Sequence, residues 1–151
     1  MPDDTHLAQL ATAFEDLPHC RELGLKIISL EPGRAVMRLD YSDRLVGNPH
    51  TGVIHGGVIS TVIDTAAGMA ASSSVPVKSA VATLDLRIDY LKPALPGKAV
   101  FAEAECYRLT KSVAFVRALA HQGDRDDPVA HCVASFMLNS AGFSVTDSQK
   151  A

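Results

Sequence analysis

An excess of positive charge is absent from this chain. Lys and Arg number 14 against 17 Asp and Glu, so the net charge is −3 and the pI is near 6.0. Without a basic face there is no electrostatic footprint for a phosphate backbone, and nucleic acid is not an expected partner. Long apolar runs are missing too. None reaches the ~20 residues of a membrane span, so no membrane partner is expected. The opening MPDDTHLAQL has no basic segment followed by an apolar one, and does not read as a secretion signal. Cysteine is scarce. Cys20, Cys106 and Cys132 are odd in number and widely spaced, which gives neither a disulfide framework nor a zinc pattern. They fit reduced thiols in a cytoplasm. No internal repeat or low-complexity linker interrupts the 151 residues, which read as a single domain over 1–151.

What is present is periodicity. Leu7, Leu10, Ala11, Phe14 and Leu17 recur at helical spacing, which predicts a short helix over roughly 4–17, ended by Pro18. Leu25–Leu30 and Arg34–Asp40 read as strands joined by a turn at Glu31-Pro32-Gly33. Arg44 to Ile54 reads as a loop. From Gly56 to Ala71 the apolar residues cover most of a helical circumference, which predicts a helix buried on every side. Leu84, Leu86, Ile88 and Tyr90 alternate with Asp85, Arg87 and Asp89 as one face of a strand. Lys98–Leu109, Ser112–His121 and Val129–Leu138 are three further strands, and a small polar tail occupies about 140–151. One buried helix with one antiparallel sheet is an α+β layout. A sheet wrapped around that helix accounts for its apolar surface.

The chemistry concentrates in NPHTGVIHGGVISTVIDTAAGMAA, residues 48–71. His55-Gly56-Gly57 lies where the helix should begin. Helix N-termini carry unpaired N–H groups and the positive end of the dipole. With no side chain on Gly56, a carbonyl oxygen can approach its N–H, and the junction can act as an oxyanion site. Alternatively, the two glycines only make a tight turn. Asp64 stands in the apolar segment with no Lys or Arg at i±3 or i±4. It is either a carboxylate satisfied by hydroxyls, or one placed to activate water or attack directly. Asp64 follows Gly56 by eight residues, about 12 Å of helical rise. Two helices meeting antiparallel at a two-fold axis would bring Gly56 of one chain to Asp64 of the other. His55 can orient a carbonyl or a water, and Asn48 can donate and accept in the same loop. His50 reads as a loop residue, and no third ligand accompanies a His50/His55 pair, so no metal is expected. His121 and His131 fall within strands and read as structural.

Asn48, His55-Gly56-Gly57 and Asp64 together resemble the signature of the hotdog-fold acyl-CoA thioesterases, in particular the phenylacetate-pathway (PaaI-like) type. The resemblance runs from about Leu23 to Leu138, and H-G-G-x6-D is its most specific part. It implies a hotdog fold, an antiparallel sheet around a long central helix. It also implies a homodimer joined edge to edge with shared sites, and often a homotetramer. Residue by residue, it implies Asp64 as general base or nucleophile and Gly56 N–H as donor to the thioester carbonyl. His55 and Asn48 would orient thioester and water, and Thr83 would assist from the partner subunit. The gap from Asn48 to His55 is one residue longer than in some members. Lys92, Arg108, Lys111 and Ser112 are positional candidates for the CoA phosphates, although any one of them taken alone reads first as ordinary solvated surface. Tyr41, Leu45 and Val46 can line an acyl pocket or belong to the core. The implied reaction is hydrolysis of acyl-CoA to free acid and CoA, with no metal or redox cofactor. Two rivals are a hotdog-fold hydratase or dehydratase acting on acyl-CoA or acyl-carrier protein, and a non-catalytic acyl-CoA binding protein.

Overall fold

The computed structural model describes residues 3–76 and 80–139. The expected polar tail at 140–151 lies outside the described residues. Helix α1 spans Asp4–Glu15, and the Asp3 carboxylate caps it by accepting from His6 N at 2.7 Å. Pro18 does more than end a helix. It opens a second short helix, α2 (Pro18–Leu23), at a position where its missing N–H is not needed. Gly24, at φ 72°, closes α2 in the left-handed conformation that glycine adopts without strain.

The strands are β1 (Lys26–Glu31), β2 (Arg34–Leu39), β3 (Val46–Asn48), β4 (Val53–Ile54), β5 (Val81–Tyr90), β6 (Val100–Leu109), β7 (Val113–His121) and β8 (Ala130–Leu138). The expected loop at 44–54 therefore holds structure of its own. A 3₁₀ turn at Asp43–Leu45 leads into the short β3–β4 ladder. The other six strands form one antiparallel sheet in the order β1-β2-β6-β7-β8-β5. Helix α3 (Gly56–Ser73) packs against all six. That is the sheet-around-a-helix arrangement of the hotdog fold.

Small residues make the wrap tight. Ala66, Ala67, Ala70 and Ala71 on α3 are fully buried, facing strand positions that are themselves often alanine: Ala35, Ala102, Ala104, Ala114 and Ala120. Met37, Ile63, Met69 and Phe136 fill the remaining space. Each such side chain contributes roughly 1.5–3 kcal/mol by leaving water.

Two departures from the sequence pattern shape the site. First, α3 is not buried all round. Gly56 and Gly57 are exposed, and Ser60, Thr61, Asp64 and Thr65 remain partly exposed. Spacings of one and four place them on one stripe. Only from Ala66 onward is the helix enclosed. Second, a β-bulge at Leu84 breaks the alternation of β5. Thr83 pairs with Phe136 and Asp85 with Ser135, so Leu84 is an inserted residue. Leu84 is 51 % exposed and does not share the inner face of Leu86 and Ile88. The phase shift turns Thr83 toward the helix instead, opposite the buried Phe136.

The two sheet edges are treated differently. The β1 edge is attended by α1, whose Glu15 carboxylate accepts from Ile27 N at 3.2 Å. The ten-residue β5 edge pairs with β8 on one side and with no strand on the other, among the described residues. No helix is long and apolar enough to cross a membrane.

Candidate active site

The exposed stripe of α3 and the edge strand β5 form one surface. β5 runs antiparallel to the helix, with Tyr90 beside Gly56 and Thr83 beside Asp64. Thr83 Oγ1 donates to Asp64 Oδ1 at 3.0 Å. This contact is made within one chain, whereas the resemblance implied help from a partner subunit. No Lys or Arg forms an ion pair with Asp64 among the described residues. Nor is the carboxylate sealed in the core as its apolar sequence neighbours imply; it is half-buried, on the stripe, and reachable. Its charge is felt by Cys132 on the inner face of β8. Burial pushes that thiol up to about 11, and Asp64 and then Asp85 add to the shift.

At the other end of the stripe, His55 caps α3. Its Nδ1 accepts from Gly57 N at 2.8 Å, and a neutral ring bonded in this way carries its proton on Nε2. The cap consumes the Gly57 N–H and leaves the Gly56 N–H without a partner among the described residues. A Cβ on Gly56 would meet only the Tyr90 ring, at 3.5 Å or more, an ordinary contact. Internal packing therefore does not demand glycine at position 56. Gly47 is the opposite case. A Cβ there would lie 2.7 Å from His55 Cα, so the approach of β3 to the helix start needs the bare backbone. His55 N also bonds Leu45 O at 2.8 Å, which ties that start to the 3₁₀ turn.

Asn48 uses its side chain in the β3–β4 turn, where Oδ1 accepts from His50 N at 3.0 Å. His50 is exposed in that turn. His121 sits in β7 with Nε2 3.1 Å from Glu103 Oε1 and its ring stacked on Phe101, a structural setting. His131 lies exposed on the outer face of β8.

Two residues not singled out from the sequence complete the surface. Tyr90 Oη donates to the Gly56 carbonyl at 3.1 Å, Ser60 Oγ lies 3.2 Å from the same oxygen, and the two hydroxyls bond each other. Ser60 was visible as the residue one turn after Gly56. Tyr90 is brought in only by the path of β5.

A family model described as the thioesterase superfamily matches residues 51–129, just over half of the chain and the whole of this surface. The chain belongs to the thioesterase superfamily. Its enzyme class is thioester hydrolase. A medium/long-chain acyl-CoA thioesterase of Salmonella typhimurium, YigI, is 30% identical over 135 residues, 81% of this chain and 86% of that relative. A solved structure of a Pseudomonas aeruginosa protein is 43% identical with a TM-score of 0.78, covering 87% of this chain and 97% of that one. The Asn-to-Asp mutant structure of the phenylacetic acid degradation protein PaaI from Thermus thermophilus is 26% identical with a TM-score of 0.70, covering 80% of this chain and 98% of that one. A relative in Halobacterium salinarum is 40% identical, but the match spans only 61% of that protein. The PaaI-like hotdog thioesterase resemblance stands on these findings.

In this thioesterase-superfamily chain the four CoA-phosphate candidates fall at two ends. Lys92 follows Tyr90, near Gly56, and is ion-paired with Asp127. Arg108 is the penultimate residue of β6, and Lys111 and Ser112 lie in the β6–β7 turn, with Ser112 O accepting from Leu138 N at 2.8 Å. Leu138 pairs with Val81, so that turn lies at the opposite end of β5 from Lys92. Within one chain the four do not converge. A cavity of about 270 Å³ opens beside Gly56, walled by Ile54, Ile59, Leu91, Pro93 and Val129. Tyr41, Leu45 and Val46 do not line it. Leu45 belongs to the core, and Tyr41 Oη donates to Gly52 O at 3.0 Å.

Proposed function

We propose that this chain hydrolyses an acyl-CoA thioester to a free carboxylic acid and CoA, in a homodimer whose two sites are each built from both chains. One observation carries this reading. Among the described residues, the unpartnered Gly56 N–H at the positive end of α3 and the Asp64 carboxylate, free of any ion pair, share one accessible stripe beside an unpaired strand edge. About 12 Å of helical rise separates them within one chain. Pairing of two β5 edges about a two-fold axis would set the helices antiparallel, and Gly56 of one chain would then face Asp64 of the other. A ten-residue open edge calls for such a partner.

The same pairing would reunite the phosphate candidates. The Val81 end of β5 would meet the partner's Tyr90 end, carrying Arg108, Lys111 and Ser112 toward the partner's Lys92.

In the proposed step the thioester oxygen docks on Gly56 N–H, where the helix dipole and amide stabilise developing negative charge. His55 Nε2–H is a second donor within the exposed mouth. Asp64 takes a proton from the attacking water, or attacks the carbonyl carbon and forms an anhydride that water opens. In either route the thiolate leaves as CoA and is protonated by solvent. The chemistry requires no metal or redox cofactor. Asn48 orients the loop through its turn bond. Two dimers assemble into a tetramer, as in the family.

The test is release of free thiol over a panel of acyl-CoA substrates, with an enoyl-CoA included to detect loss of a conjugated double bond. We expect thiol release by the native chain and a fall of about 10²–10⁴ for Asp64→Ala, with dimer mass unchanged. Tight acyl-CoA binding without thiol release, or full activity in Asp64→Ala, rejects the reading.

A further inference from the structure

The first peptide of α3 has an unusual amount of support for a glycine pair. Its N–H, on Gly57, is held by His55 Nδ1 at 2.8 Å. Its carbonyl, on Gly56, is approached by Tyr90 Oη at 3.1 Å and Ser60 Oγ at 3.2 Å. Those two hydroxyls also bond each other. Two hydroxyls supply two protons for three contacts. One proton therefore joins the hydroxyls, and the other reaches the carbonyl, as a short chain ending on Gly56 O.

This matters because Gly56-Gly57 has no side chain to hold it. Glycine has the greatest backbone freedom of any residue, and helix ends fray. A donor that stabilises an oxyanion must be fixed before the reaction. The clamp fixes the neighbouring peptide plane from both sides, and with it the direction of the Gly56 N–H. It also fixes the His55 ring, whose Nδ1 cannot turn away without releasing Gly57.

The tyrosine of the clamp comes from β5, and so does the Thr83 contact to Asp64. One strand thus positions both ends of the stripe. Packing alone does not explain the tyrosine, since Tyr90 is 54 % exposed. Its ring borders the space over Gly56, and its hydroxyl is what reaches the backbone.

We propose that Tyr90 and Ser60 are positioning residues for hydrolysis, their linked hydroxyls holding the Gly56 carbonyl so that the Gly56 amide is aimed at the thioester oxygen. This rests on the thioesterase reading of the same surface.

The experiment compares Tyr90→Phe, Ser60→Ala and Ser60→Thr with the native enzyme, at matched dimer mass. Thiol release gives kcat and KM, and hydrogen exchange reads the Gly56 and Gly57 amides. Tyr90→Phe keeps the ring and removes the hydroxyl. We expect kcat to fall about tenfold or more with KM within about twofold, and the two glycine amides to exchange faster. Ser60→Thr recovers most of the rate lost in Ser60→Ala, because the hydroxyl returns. The Tyr90→Phe/Ser60→Ala double variant is clearly faster than the product of the two single losses would make it, close to the slower single, as expected for one linked unit. Native kcat together with native glycine exchange in Tyr90→Phe overturns the proposal. A rise in KM alone also overturns it, since that marks a wall of the binding site rather than an aimed donor. If the native enzyme releases no thiol at all, the reaction assignment fails, and unchanged exchange in Tyr90→Phe is then the separate result that removes the clamp.

Discussion

Thr83 Oγ1 donates to Asp64 Oδ1 at 3.0 Å inside a single chain, across the gap between the edge strand and the core helix. The bond is possible because Leu84 is inserted as a bulge. Without that extra residue, the period of Leu86 and Ile88 would put Thr83 on the outer face. The carboxylate is thus held by a hydroxyl rather than by a cation. The bond limits the rotational freedom of the carboxylate.

Replacing Thr83 tests what that restraint does. Thr83→Val is nearly isosteric and removes the only hydroxyl bonded to Asp64 among the described residues. We expect kcat for thiol release to fall about tenfold, because a misaimed carboxylate spends less time in the productive geometry. Thr83→Ser restores the donor and most of the rate. Folding stability, read by urea midpoint, changes by no more than about 1 kcal/mol, since the pair is exposed. Equal rates for Val and Ser at this position would mean that the hydroxyl does not position the acid.

The adjacent glycines respond in opposite ways. A Cβ on Gly56 meets the Tyr90 ring at 3.5 Å, so Gly56→Ala folds with native or slightly higher stability. It nevertheless places a methyl beside the helix-start amide that has no partner among the described residues, and thiol release drops by about 10² or more. A Cβ on Gly57 lies 3.0 Å from His55 Nδ1, so Gly57→Ala pushes the imidazole off the cap and loses about 1 kcal/mol. Thermal unfolding and thiol release, measured on both variants, separate the functional glycine from the capping one.

Much of this was legible in the chain itself. The H-G-G-x6-D run marks the helix start and its acid, and six strand-like segments mark the sheet. The unread part has physical causes. A bulge adds a residue without leaving a compositional mark, so Thr83 and Leu84 exchange faces unseen. Proline signals both the end of one helix and the first position of another, and here Pro18 does the second. Ser60, Thr61, Asp64 and Thr65 did write a polar stripe into the helix, but the alanines and valines around them outweighed it in the pattern. The Tyr90–Gly56 contact spans 34 residues and depends on the path of an entire strand.

The buried thiol beneath Asp64 makes stability depend on alkaline pH. Cys132 has an ordinary value of 9.0 and is pushed up to about 11 by burial, with Asp64 and Asp85 adding to it. Above pH 9 the unfolded chain releases this proton while the folded chain retains it. Unfolding then gains from every rise in pH, and the stability present below pH 9 is lost progressively up to about 11. For Cys132 alone the loss is about 2 kcal/mol near pH 10.5. Cys132→Ala removes that slope while costing about 1 kcal/mol at all pH values for the lost packing. Urea midpoints at about pH 8 and pH 10.5 check it: the native chain must lose more between the two than the variant does.

The open β5 edge carries the last prediction. Leu84 stands 51 % exposed at the bulge, on a strand with an unpaired outer edge. If two copies join there about a two-fold axis, position 84 lies inside the paired edge, and a long charged side chain buried there opposes pairing. Leu84→Arg is therefore expected to halve the dimer mass in sedimentation at micromolar concentration. Because Leu84 is not part of the core, the fold and its urea midpoint survive. Thiol release should vanish with the dimer and return at high protein concentration, as a site divided between chains requires. A monomer with undiminished turnover would place Gly56 and Asp64 in one self-sufficient site, and a dimer of native mass would move the shared interface away from β5.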